Sequence, residues 1–224
     1  MDGQLHRAGR GDDDPHGIRR SLLRDAVFAR LLENVLRGVY RRGQRMRLDA
    51  IAADMRVSRT PVREALVPLE SLRLVTVQRY VGVVVAHWTV DHMIERIRIA
   101  RTMITEPSVG PAPCADRFDV AWLRECATEG GVFVELGSWW LRRHGAAVSA
   151  DWLLSQRAVL DAFFTDDVAL ANGIDAVVAR RGRLSIAERA TAAAERDALD
   201  ECAAALVELA DALIALPERF RAVA

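Results

Sequence analysis

The chain has 224 residues, 51% of them apolar, with 31 arginines balanced by 31 acids and no lysine. That length and composition predict a folded protein of one large or two small domains and exclude a charge-rich disordered chain. No apolar run approaches the roughly 18 residues of a membrane span, and residues 1–20 lack the apolar core of a signal peptide, so a cytoplasmic protein with no membrane partner is expected.

Charge is unevenly distributed along the chain. Residues 21–88 carry twelve arginines against six acids, residues 89–224 carry fifteen against twenty-one, and residues 1–20 are balanced. A basic first unit joined to an acidic second one predicts that only the first meets a polyanion. Cys114, Cys126 and Cys202 lie far apart and form no C-x-x-C pair, so reduced, packed thiols are expected.

Residues 1–20 have no apolar period and read as a disordered tail. Over residues 22–39 the stripe Val27, Leu31, Val35 and Val39 predicts a first helix. Arg41-Arg42-Gly43-Gln44 breaks it, and Asp49 is placed to cap a short second helix that turns Ile51, Ala52 and Met55 inward. A third helix opens between Ser58 and Pro61 and buries Val62, Ala65, Leu66, Leu69 and Leu72. Residues 74–78 and 83–87 favour strand and flank Arg79-Tyr80-Val81-Gly82, a hairpin.

Beyond Trp88 the pattern is helical. Ile94, Ile97, Arg98 and Arg101 share one helix, followed by an irregular stretch over residues 107–114. Further helices are predicted around residues 121–129, 132–143, 151–164 and 168–180. Ser185-Ile-Ala-Glu188 has capping-box spacing and opens a long helix with the stripe Leu199, Cys202, Leu206, Leu209 and Leu213, ending at Pro217. The fold class is therefore mainly α: a winged helix-turn-helix with a small β-hairpin wing over residues 21–88, then an all-helical bundle over residues 89–224.

Function is concentrated in residues 49–66. A short helix, a tight turn at Arg56-Val57-Ser58 and a longer helix follow the helix-turn-helix plan. With Val62, Ala65 and Leu69 facing inward, Arg59, Thr60 and Arg63 face outward where such a helix enters the major groove. Arginine there reaches guanine O6 and N7, serine and threonine reach phosphates, and free amides favour a phosphate. Pro61 in the first turn loses no helical hydrogen bond. A solvated amphipathic helix would also carry surface arginines; the preceding helix, the hairpin and the local charge argue for DNA.

The string Val57-Ser-Arg-Thr-Pro-Val-Arg-Glu-Ala-Leu66, with Leu69-Glu70 and Gly82, resembles the GntR family of bacterial transcriptional regulators, most closely its FadR-like subfamily. The resemblance implies DNA contacts from Ser58, Arg59, Thr60, Pro61 and Arg63, with a wing near Arg79 and Gly82 in the minor groove. Arg56 and Arg73 stand where the family commonly has glycine. Val81 stands where an arginine commonly precedes the wing glycine, and Arg79 is the substitute.

The resemblance further implies that the second half is an effector-binding and dimerisation (FCD-like) domain that takes a small carboxylate or other anion, often through a metal held by Asp and His. The matching positions are degenerate. Asp151 and Asp161 are each followed four residues later by Ser155 and Thr165 where His is usual, and Arg196 falls near a later His position. His92 and His144 read as surface or packing residues, so no metal and no other cofactor is expected. Arg101 and Arg196 are the candidate ligands for an anionic effector; the competing reading pairs them with acids such as Glu95 and Asp200. Trp139, Trp140 and Trp152 read as core or cavity lining.

The Leu199 to Leu213 stripe offers either a homodimer surface or intramolecular core. The expected partners are a palindromic double-stranded DNA operator, a second copy of the chain and the anionic effector. Two readings stay open: an effector-responsive repressor or activator, and a DNA-binding protein whose second half only dimerises or contacts proteins. No G-x-S-x-G, P-loop, H-E-x-x-H or Cys–His pair points to an enzyme.

Overall fold

The computed structural model describes residues 15–107 and 116–217. The first helix, α1 (Pro15–Leu36), begins with a proline and starts inside the stretch expected to be tail; the rest of that tail lies outside the described residues. Val27, Leu31 and Val35 are buried as their spacing requires. The helix stops short of Val39, which is exposed. Gly38 takes φ +76, and the Gly38 and Val39 amides turn back onto the Val35 and Asn34 carbonyls at 3.2 and 2.9 Å. This is a Schellman cap, and it ends the helix.

Strand β1 (Arg45–Met46) precedes α2 (Leu48–Asp54) and α3 (Arg59–Ser71), followed by β2 (Val75–Gln78) and β3 (Gly82–Val85). The sheet is antiparallel in the order β1-β3-β2, with Arg45 opposite Val84 and Gln78 opposite Gly82. The expected two-stranded wing thus gains a third strand. Asp49 does not cap α2: it sits in the first turn, behind Arg47. Ile51 and Ala52 are buried and Met55 half-buried, while α3 buries Val62, Ala65, Leu66 and Leu69 against α1.

The second half is helical among its described residues. It comprises α4 (Val90–Thr105), a 3-10 helix (Val120–Glu125), α5 (Glu129–Arg143), α6 (Ala147–Ser155), α7 (Arg157–Phe163), α8 (Asp166–Ala171), α9 (Arg180–Glu195) and α10 (Leu199–Ile214). Most of the irregular stretch expected over residues 107–114, Cys114 included, lies outside the described residues. Helix α5 is central and packs against α4, α6, α7, α9 and α10.

The single long helix expected from Ser185 is two helices. Ser185 lies inside α9, and Asp197, at φ +58, reverses the chain into α10. Cys202, Leu206, Leu209 and Leu213 are fully buried, with α10 against α9, α4 and α5. The stripe is therefore core, and it is not available as a dimer surface. Among the described residues no helix is long and apolar enough to cross a membrane.

Named bonds tie the two halves together. Arg96 of α4 donates to the Leu72 carbonyl, at the C-cap of α3, at 2.6 Å and also to Gln156 Oε1 at the α6–α7 junction. Asn172 Nδ2 donates to the Leu36 carbonyl at the end of α1 at 2.8 Å.

Candidate nucleic-acid interface

The short α2 and longer α3 meet through a turn in which Arg56 adopts φ +54. Its amide and that of Val57 close onto Ala53 and Ala52, so the turn is fixed by backbone bonds. Ser58 is the N-cap of α3, and its hydroxyl makes no capping bond, which leaves it and the first-turn amides open to an acceptor from outside. Ser58, Arg59, Thr60 and Arg63 are all exposed on the outer side of the helix. The structure therefore brings together four of the five positions expected on this helix.

Pro61 is the exception. It is buried beside Val62, so it shapes the first turn rather than facing outward. The two arginines also differ. Arg59 Nε is paired with the Asp49 carboxylate of α2, which holds the guanidinium over the helix-turn-helix junction. Arg63 has no ion-pair partner among the described residues and presents an uncompensated cation one turn further along.

In the wing, Arg79 lies over the Tyr80 ring at 5.1 Å and Tyr80 is 90% exposed, so the tip is a cation carried on an aromatic face. Gly82 takes φ +100 directly after this tip. A side chain at Gly82 would meet Arg45 Nε at 3.7 Å, so the Arg45 guanidinium sits against the wing. Sequence reasoning missed Arg45 because a two-residue strand leaves no periodic signal. It supplies a basic group at the wing, where Val81 does not.

The residues expected to hold an anion or a metal are dispersed. Arg101 is bound through two nitrogens to Asp211 at 2.7 and 3.1 Å, and this partner raises its pKa first by hydrogen bonding and then by charge. Arg196 pairs with Glu201 at 2.7 Å. The two line no common cavity among those described. Their acids differ from the expected Glu95 and Asp200, but the paired, surface arrangement is the one found.

Asp151 is in the middle of α6 and paired with Arg142. Asp161 accepts from the Ala127 and Thr128 amides at 3.0 and 2.8 Å and from the Thr128 hydroxyl at 2.8 Å, which anchors the start of α5. His92 completes the capping box of α4 with Thr89, and His144 stacks on Trp140 at 3.7 Å. Among the described residues no group of three or more His, Cys, Asp or Glu could hold a metal ion.

No curated protein matches the chain. Several solved structures do. One, from Rhodococcus sp. RHA1 and described as a GntR transcriptional regulator, is 19% identical, covers 92% of this chain and 99% of its own, and has a TM-score of 0.49. McbR/YncC from E. coli is 16% identical over 88% of this chain and 97% of its own, with a TM-score of 0.43. Lar from Listeria monocytogenes, described as controlling expression of the agr system, is 17% identical over 88% and 97%, also with a TM-score of 0.43. Residues 23–85, which span most of α1, the helix-turn-helix and the three-stranded wing, match the family model for bacterial regulatory proteins of the gntR family.

Proposed function

We propose that the protein is a cytoplasmic transcriptional regulator that binds a palindromic DNA operator as a homodimer, with α3 in the major groove. The observation that carries this reading is the outer face of α3, where Ser58, Arg59, Thr60 and Arg63 stand exposed around an uncapped helix N-terminus. In this arrangement Arg63 reads a base edge, Arg59 reads a base or phosphate once released from Asp49, and Ser58 and Thr60 set the helix on the backbone. Arg79 and Arg45 place the wing on the adjacent groove. Pro61 acts through the shape of the turn.

A homodimer is part of the proposal because one recognition helix covers only a few base pairs and two-fold symmetry supplies the remaining specificity. The second half, helical among its described residues, supports a FadR-like arrangement of DNA-binding and regulatory parts. An anionic metabolite at Arg101 or Arg196 would have to displace Asp211 or Glu201, so an effector response is better sought at another site.

The test starts by selecting the operator from a random duplex pool with the full chain. Arg63→Ala is then titrated against that operator at fixed salt. Loss of a bidentate base contact is about 1–3 kcal/mol, so affinity should fall roughly ten- to hundredfold while the melting temperature stays unchanged. Selection of no preferred sequence, or near wild-type affinity in both Arg59→Ala and Arg63→Ala, would overturn this reading.

A further inference from the structure

The hairpin between β2 and β3 turns at a residue that the fold does not require. The Val81 amide closes onto the Gln78 carbonyl at 3.2 Å, and between them Tyr80 takes φ +66. The left-handed region suits glycine or asparagine, and a bulky aromatic residue is an outlier there. The other non-glycine residues with this backbone among the described ones are Arg56, Arg73, Ala179 and Asp197, all next to helix ends. Tyr80 is the one aromatic residue in the set.

The Tyr80 side chain gains little from the fold in return. It is 90% exposed, and the one ring or polar contact it makes among the described residues is with the Arg79 guanidinium, 5.1 Å from the ring centre. A single exposed apolar residue is ordinary, but an exposed ring on a strained backbone is unfavourable twice over. Such a ring is placed for a surface outside the chain.

Its neighbours define that surface. Arg45 of β1 lies against Gly82 and Arg79 follows β2, so the sheet order β1-β3-β2 brings two guanidiniums to the tip from opposite edges. Neither is ion-paired among the described residues. An apolar point between two uncompensated cations is complementary to the minor groove, which has phosphates along its walls and base edges on its floor. Arg79 covers one face of the ring, so the other is free to stack on a single base. That is the geometry of a wedge that enters one base step part-way.

We infer that Tyr80 is a wedge that unstacks and bends the operator. Its ring enters the minor groove at the flank of each half-site, stacks its open face at a pyrimidine–purine step, and Arg79 and Arg45 hold the phosphates on either side. Those steps open most readily, so the wedge adds sequence preference at positions that α3 does not touch. This inference rests on the proposed DNA-binding function and deepens it.

The experiment uses the full chain and the operator selected from the random pool, with 2-aminopurine placed in turn through both flanks and a dye pair at the ends. Wild-type binding should brighten the probe about twofold or more at a pyrimidine–purine step in each flank, and energy transfer should report a bend of roughly 20–90°. Tyr80→Phe should keep both. Tyr80→Gly should lose both and bind roughly five- to tenfold more weakly, while its melting temperature without DNA rises by about 2–4 °C as the backbone is relieved. Replacing the flanking step by an A-tract should weaken wild type by a larger factor than Tyr80→Gly.

Specific binding without brightening or bend, or with both retained in Tyr80→Gly, overturns the wedge and leaves the proposed function standing. Tyr80→Phe behaving as Tyr80→Gly places the contact in the hydroxyl and overturns it equally. A lower melting temperature in Tyr80→Gly assigns the ring to the fold instead. Selection of no preferred duplex overturns the DNA-binding reading itself, and the wedge with it.

Discussion

Arg56 and Arg73 hold the left-handed backbone, at φ +54 and +57, that Gly38 holds at the end of α1. In each case two amides close onto carbonyls of the helix just ended, as with Arg73 onto Glu70 and Leu74 onto Leu69. The resemblance puts glycine at both positions, and the left-handed φ of each arginine is the conformation that favours glycine. A left-handed arginine is about 1 kcal/mol less favourable than a glycine there. Neither side chain has a polar contact among the described residues that would offset this. Arg56→Gly and Arg73→Gly should therefore each stabilise the fold by about 1 kcal/mol, or roughly 2–4 °C in melting temperature. Differential scanning calorimetry checks it. The same device explains an illegible boundary: Asp197 ends α9 without a glycine, so nothing in the string separated α9 from α10.

The first three helices were legible because one stripe each faces the core, whereas α6, α7 and α8 are short and pack within a bundle that leaves little polar contrast. Ser185-Ile-Ala-Glu188 misled because capping spacing also occurs by chance inside an alanine-rich helix. What the sequence did not announce is how closely α5 approaches α7. A methyl on Gly130 would sit 2.8 Å from the Leu160 carbonyl and 2.7 Å from the Phe164 ring. The carbonyl belongs to the backbone and cannot swing aside. Gly130→Ala should cost about 2 kcal/mol by overpacking. Gly182, inside α9, faces open space, so Gly182→Ala should instead stabilise by about 0.8 kcal/mol through helix propensity. Urea denaturation of the two variants side by side gives opposite signs if α5 and α7 are packed as described.

At the scale of the whole molecule, burial of the α10 stripe means that the proposed dimer must use another surface. Of the exposed apolar residues in the second half, Leu170, Val177, Val178 and Leu184 fall along one stretch of chain from α8 into α9, and they are the surface proposed for it. Light scattering at micromolar concentration should give twice the mass of one chain, and Leu184→Glu combined with Val177→Glu should return it to one. Unchanged mass in that double variant moves the interface elsewhere, and a wild-type monomer with and without DNA removes the dimer from the proposal.

The bonds from Arg96 to the Leu72 carbonyl and from Asn172 to the Leu36 carbonyl join the DNA-binding half to the bundle at the ends of two different helices. Two attachment points well apart in the chain resist rotation as one would not. In a dimer held by its bundles, the separation and relative turn of the two α3 helices would then be fixed before DNA arrives. One base pair inserted between half-sites moves the second by about 3.4 Å and turns it by about 34°. A hinged protein absorbs such a change by swivelling. In the proposed dimer a stiff frame would set the reach, and the distance between half-sites would become a quantity measured alongside the bases.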